Sequence, residues 1–119
     1  MTTLTLELPW PPSINHYWRH AKGRHYISLE GQMYRETVFF STCKFRNQFK
    51  ETDRLAVSIE AFPPDKRKRD LDNVLKSLLD ALQKAEIYPD DGQIDILTIE
   101  RKTPFNGKVI ITIENIKQQ

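Results

Sequence analysis

Thr3 to Leu8 alternates polar and apolar residue by residue, the period of a strand with one buried face. Pro9, Pro11 and Pro12 end it, because proline donates no ladder hydrogen bond. Ser13 to Ser28 shows no period and is expected as a long loop rich in aromatic and basic residues. Ser28-Leu29-Glu30-Gly31-Gln32 is a helix entry: Ser28 caps, and Glu30 lies in the positive first turn. That helix is expected to run to about Lys50, with Tyr34, Val38, Phe39, Phe45 and Phe49 on its apolar face. Leu55 to Phe62 alternates again and is closed by Pro63-Pro64. Leu71 to Glu86 is the clearest helix, since Leu71, Val74, Leu75, Leu78, Leu79 and Leu82 form one stripe of a 3.6-residue period. Pro89-Asp90-Asp91-Gly92 predicts a turn. Ile94 to Glu100 reads as a strand with apolar residues on both faces, and Val109 to Ile113 as the last strand. Thr103 to Lys108, with Asn106-Gly107, predicts a hairpin between them. The order β-α-β-α-β-β gives an α/β (α+β mixed) fold with helices on a mixed sheet, as a single domain over 1–119. Crossovers favour parallel neighbours, and the final hairpin is expected to be antiparallel.

Composition narrows the class. Of 119 residues, 39% are hydrophobic and 29% charged, which fits a globular chain and not a disordered one. No apolar run reaches the length of a membrane helix, and the N-terminus has no basic segment before a hydrophobic one. A cytoplasmic protein is expected. A chain this size leaves roughly a third of its unfolded surface exposed after folding, so a dimer interface would help it. The single cysteine, Cys43, forms no internal disulfide and no zinc site alone; its place among apolar residues points to packing.

The net charge of +2 conceals an asymmetry. Between Ile14 and Lys50 the bases are Arg19, Lys22, Arg24, Arg35, Lys44, Arg46 and Lys50, against Glu30 and Glu36. Lys66-Arg67-Lys68-Arg69 follows. From Asp80 to Asp95 the sign reverses, with Asp80, Glu86, Asp90, Asp91 and Asp95 against Lys84. A basic surface with a separate acidic cluster suits a polyanion held near a cation.

The chemistry concentrates in Lys66-Arg67-Lys68-Arg69-Asp70-Leu71-Asp72-Asn73-Val74-Leu75-Lys76. Residues two apart on a helix point about 200° from each other. Asp70 and Asp72 therefore converge only if Asp70 lies in the entering segment and Asp72 in the first turn. Asp72, Lys76 and Asp80 recur at four-residue spacing, which by itself is an ordinary surface ion-pair stripe. Four bases directly before two acids change its meaning. Phosphodiester hydrolysis needs bases to hold the anion and carboxylates to hold a hard divalent cation such as Mg²⁺. Asp90 and Asp91 are equally eligible by spacing as a third carboxylate. His16, His20 and His25 share a loop with Tyr17, Trp18 and Tyr26, but match no zinc spacing; bases among aromatics suit phosphate contact and base stacking better.

Leu8-Pro9-Trp10-Pro11-Pro12-Ser13, Tyr17, Arg19-His20, Lys68-Arg69-Asp70-Leu71-Asp72-Asn73 and Asp90-Asp91 closely resemble the RusA-type Holliday junction resolvases, from Thr5 to about Glu114. The resemblance implies a homodimeric endonuclease of bacterial, phage or prophage origin, acting in DNA recombination and repair. It would cut four-way junction DNA by symmetric paired incisions with Mg²⁺ or Mn²⁺, without a nucleotide cofactor or a membrane. Asp70, Asp72 and Asp91 match the family's catalytic metal-binding acids, and this match, not spacing, selects Asp91 over Asp90. Lys76 matches its essential lysine and Arg69 a DNA-binding base. Arg19, His20, Lys22, Arg24, Arg67 and Lys68 complete the expected DNA contacts. Ile14 and His16 stand where family members can carry Asn and Arg, and Lys66 and Lys68 where others carry arginine. These departures bear on DNA affinity and cut-site preference. The rival readings are an inert branched-DNA-binding module, which intact acids argue against, and a nuclease for other branched DNA.

Overall fold

Apolar alternation becomes strand and the leucine stripe becomes helix in the computed structural model, which describes residues 2–21 and 23–116. In chain order the elements are β1 (Thr3–Pro9), α1 (Ile14–Tyr17), β2 (Trp18–Ala21), β3 (Arg24–Ile27), α2 (Leu29–Thr42), β4 (Arg54–Phe62), α3 (Asp72–Lys84), β5 (Ile94–Arg101) and β6 (Lys108–Ile116). Short 3-10 turns occupy Cys43–Phe45 and Asp91–Gln93. The main sheet has the order β1-β6-β4-β5; β4 and β5 are parallel, and the other pairs antiparallel. Leu4, Leu6 and Leu8, then Leu55, Val57 and Ile59, then Val109, Ile111 and Ile113 are buried on one face of it. Tyr34 and Val38 of α2 and Val74, Leu78, Ala81 and Leu82 of α3 share their core. The expected mixed sheet under helices is therefore present. The other face is mixed: Ile96 and Ile110 share it with polar residues, the hydroxyls of Thr5 and Thr112 stand 3.4 Å apart and Lys108 pairs with Glu7 at 3.1 Å.

Three local expectations are corrected. The stretch expected as a loop holds α1 and an antiparallel hairpin, β2–β3. Its residues are nearly all solvent-exposed, so no apolar alternation marks it in the sequence; Gly23, at φ +73°, makes the turn. The helix expected to reach Lys50 ends at Thr42. Thr42 bonds back to the Val38 carbonyl at 2.7 Å, and Asn47 turns the chain in the left-handed region, φ 60°. Phe49 thereby drops into the core, and Cys43 is exposed rather than packed.

The third correction concerns topology. Thr103 to Lys108 is not a hairpin, because β5 and β6 are not neighbours; β4 lies between them. The connection crosses the end of β4, where Lys102 N donates to the Ala61 carbonyl at 2.8 Å and Gly107 N to the Pro63 carbonyl at 3.2 Å. β4 is apolar along its inner face, so the centre of the sheet buries it best. The β4–α3–β5 unit has the expected parallel pairing, but β1 and β4 are separated by β6.

Gly31 sets how closely α1 approaches α2. The Tyr17 carbonyl accepts from Ser28 N at 2.9 Å, and a Cβ on Gly31 would stand 2.6 Å from that oxygen. Alanine normally favours a helix interior over glycine. Here Gly31→Ala is expected to destabilise the fold by about 1–3 kcal/mol through overpacking. Urea unfolding checks the sign.

Candidate active site

The start of α3 presents two free carboxylates. Asp72 is its first residue, and Leu71, just before it, offers no side-chain cap. Asp70 lies in the entering segment, with its carbonyl accepting from Asn73 N at 3.2 Å. Both side chains are exposed, and neither accepts a hydrogen bond nor pairs with a cation among the described residues. Hard carboxylate oxygens left free in this way fit Mg²⁺, which takes one or two carboxylates beside phosphate oxygens and water.

The basic run is folded around an acid. Asp65 accepts from Arg67 N at 2.9 Å, pairs with the Arg67 guanidinium at 3.1 Å and with Arg69 at 2.7 Å. Arg69 and then Arg67 hold its carboxyl well below the usual range. Arg101, the last residue of β5, donates to the Arg69 carbonyl. Lys66 and Lys68 remain exposed and unpaired among the described residues.

Lys76 lies one turn beyond Asp72 and forms no ion pair among the described residues. Its neighbour Asp80 is engaged elsewhere: Tyr17 donates its hydroxyl to that carboxylate, and Arg35 pairs with it at 2.8 Å. Burial and the bond to Asp80 push the Tyr17 phenol well up. Lys76 instead lines a cavity of about 330 Å³ with Asn15, Trp18, Arg19, His20 and His25, and no carboxylate lines it. The rings of His20 and His25 meet edge-on across the hairpin, centroids 3.8 Å apart and planes inclined at 67°. Arg24 lies on the same hairpin, whereas Lys22 falls outside the described residues.

Asp90 and Asp91 have different surroundings. The Asp90 carboxylate accepts from Gly92 N at 3.0 Å, and Gln93 accepts from Asp90 N at 2.9 Å, so Asp90 caps the turn. Asp91 is half-buried; it accepts from the Tyr88 hydroxyl at 2.7 Å while its own N donates to Gln83 at 2.9 Å. Burial, with Asp80 and Asp90 nearby, raises its carboxyl above the usual range against the opposing Tyr88 bond.

These acids do not meet within one chain. Through Arg101 and Arg69, Asp70 is tied to the C-terminal end of β5, while Asp91 immediately precedes its N-terminal end. A strand of that length spans roughly 25 Å. Among the described residues no three His, Cys, Asp or Glu side chains gather into a cation site. Sequence reasoning missed the supporting residues Asp65, Gln83 and Tyr88. Asp65 stands two residues before Arg67 and Tyr88 three before Asp91, both local signals; Gln83 gave none, because its bond to Asp91 is set by how α3 turns into β5.

Arg35 and Asp80 are mostly buried, with side chains 24% and 21% exposed, so removing one strands the other. Arg35→Met is expected to cost about 2–3 kcal/mol, and adding Asp80→Leu to restore part of it. Chemical denaturation of the double-mutant cycle measures both.

The chain is also similar to known proteins along most of its length. The family model described as Endodeoxyribonuclease RusA matches residues 9–114. A protein from Shigella sonnei named crossover junction endodeoxyribonuclease RusA is 40% identical over 117 residues, covering 95% of each chain. Its namesake from Escherichia coli is 39% identical over 114 residues, and one from Enterobacteria phage 82 is 40% identical over 114, each again covering 95% of both chains. With its Arg69-Asp70-Leu71-Asp72-Asn73 segment opening α3 and this similarity along nearly its whole length, the chain belongs to the RusA endodeoxyribonuclease family.

Proposed function

We propose that the chain is a divalent-metal-dependent endonuclease that resolves four-way DNA junctions by symmetric paired incisions, acting as a homodimer. The observation that carries this reading is the pair of unpartnered carboxylates, Asp70 and Asp72, opening α3 directly after a basic run. Asp70, Asp72 and Asp91 hold the metal, Mg²⁺ or Mn²⁺. When bound, that ion neutralises charge on the phosphoryl group and makes a water nucleophilic near neutral pH. Lys76 holds a non-bridging oxygen of the scissile phosphate with its free ammonium. Arg19, His20 and Arg24 on the hairpin side, Arg67, Lys68 and Arg69 before α3, and Lys22, which lies outside the described residues, hold flanking phosphates, contacts that position DNA without reading its sequence.

The separation of Asp91 from Asp70 supports the homodimer. β5 is an edge strand with Ile96 53% and Leu97 39% exposed, and its Ile96–Ile99 centre carries no charge. Such an edge invites another strand. The opposite edge, β1, turns Thr3, Thr5 and Glu7 outward and ends in proline. Antiparallel pairing of β5 with its copy about a two-fold axis lays the N-terminal end of one strand beside the C-terminal end of the other. The partner's Asp91 then approaches Asp70 and Asp72, and two equivalent sites result.

Asp70→Asn, Asp72→Asn and Asp91→Asn are each expected to abolish cutting of a synthetic junction while binding persists, and Asp90→Asn to keep cutting. A mixed dimer of Asp70→Asn and Asp91→Asn subunits regains one site and nicks a single strand. Failure of mixing to restore any nicking would place all three acids in one protomer's site. Lys76→Met is expected to lose at least a hundredfold in cutting rate with its melting temperature nearly unchanged, since its ammonium supports no ion pair in the fold. Near-normal cutting by the folded variant would return Lys76 to an ordinary surface role.

A further inference from the structure

A wide concavity lies beside Asp70, which lines it. It measures about 990 Å³ and separates the Pro9–Ser13 segment and α2 from the basic run and the start of α3. Its two sides differ in chemistry. Trp10, Pro11, Met33 and the buried Tyr34 make one side apolar, with Glu30 the acid on it. Arg67, Lys68 and Arg69 bring three bases to the other side against Asp70; Lys68 is unpaired among the described residues, and Arg67 and Arg69 share Asp65. Asn15 and Asn73 bring amide groups to the same space. The apolar side is held before any ligand arrives: Tyr34 donates its hydroxyl to the Pro9 carbonyl at 2.8 Å, and Trp10 N donates to the Gly107 carbonyl at 3.0 Å.

A phosphate is drawn to the basic side and repelled from the side bearing Glu30. What suits the apolar side is flat, aromatic and edged with hydrogen-bonding groups, which describes a nucleobase. We propose that this groove receives one unstacked base of the junction, its apolar side taking the ring, Asn15 and Asn73 meeting the base edge, and the basic side holding the attached phosphates. The inference rests on the nuclease reading and adds a source of selectivity to it. An uninterrupted duplex must break its stacking to supply such a base, whereas a branch point supplies one at lower cost. The groove thus reads branching beside Asp70, where the backbone is to be cut.

The test is junction affinity in the absence of divalent cation, so that no strand is cut. Junctions carry an abasic residue at one position at a time, across the two nucleotides on either side of the cut. Removal of one particular base is expected to weaken wild-type binding roughly tenfold, with the other positions near neutral. Thr37→Trp, an exposed α2 position lining the groove, plugs it. That variant is expected to bind the intact junction roughly tenfold more weakly, to lose the abasic position effect, and to bind linear duplex as the wild type does. A flat abasic profile for the wild type would overturn the inference, as would a Thr37→Trp variant with the wild-type affinity and profile. Nicking of the intact junction with Mg²⁺ separates the two readings. Cutting with a flat profile removes the groove assignment alone, and a position-dependent profile without any cutting removes the nuclease reading and leaves the groove assignment in place.

Discussion

The parallel register of β4 on β5 governs where Asp70, Asp72 and Asp91 stand. A parallel pair requires a crossover, and α3 is that crossover, returning the chain from the end of β4 to the start of β5. The register is pinned at both ends. Arg54, opening β4, pairs with Asp95 and donates to the Gly92 carbonyl at 3.1 Å, while the Gln93 amide donates to the Lys50 and Asp53 carbonyls at 2.9 Å. At the far end Lys102 N bonds to Ala61 and Arg101 to the Arg69 carbonyl. Asp70 and Asp72 are thereby held at one end of the sheet and Asp91 at the other. Nothing short of unpairing β5 brings them together within one chain.

The side of α3 that carries Lys76 is organised by a second interaction. Arg35 reaches from α2 to Asp80 on α3 and lies over the rings of Tyr17 and Trp18, its guanidinium carbon 5.7 and 5.5 Å from their centroids. This network joins α1, α2 and α3, and the hairpin follows α1 directly. It also takes Asp80 out of reach of Lys76. A stripe that reads as a surface ion pair becomes, after folding, an engaged carboxylate and a free ammonium. The difference matters chemically, because an ammonium already paired with a carboxylate meets a phosphate with much of its charge cancelled.

Burial divides the acids into two kinds. Asp70 and Asp72 are exposed and unpartnered among the described residues, so their oxygens are available. Asp91 sits under Tyr88 with Asp80 and Asp90 near it, which disfavours its charge. Asp65 is the opposite case, a carboxylate whose two arginines shape the basic run into a folded loop rather than a flexible one.

Local pattern alone determined much of this protein. The alternation in Thr3–Leu8 and Leu55–Phe62 and the stripe from Leu71 to Leu82 specify strands and helix because a buried face leaves a period in the residues. The placing of Asp70 before α3 and Asp72 in its first turn was legible for the same reason. The β2–β3 hairpin was not, since exposed strands bury no face and leave no period. Neither was the insertion of β4 between β5 and β6, because strand order is a competition for the centre of the sheet that only all the strands together decide. The nearness of Lys76 to His25, the capture of Asp80 by Arg35 and the distance between Asp70 and Asp91 belong to that same class. Each depends on contacts between residues far apart in the chain, and such contacts exist only once the layers have packed.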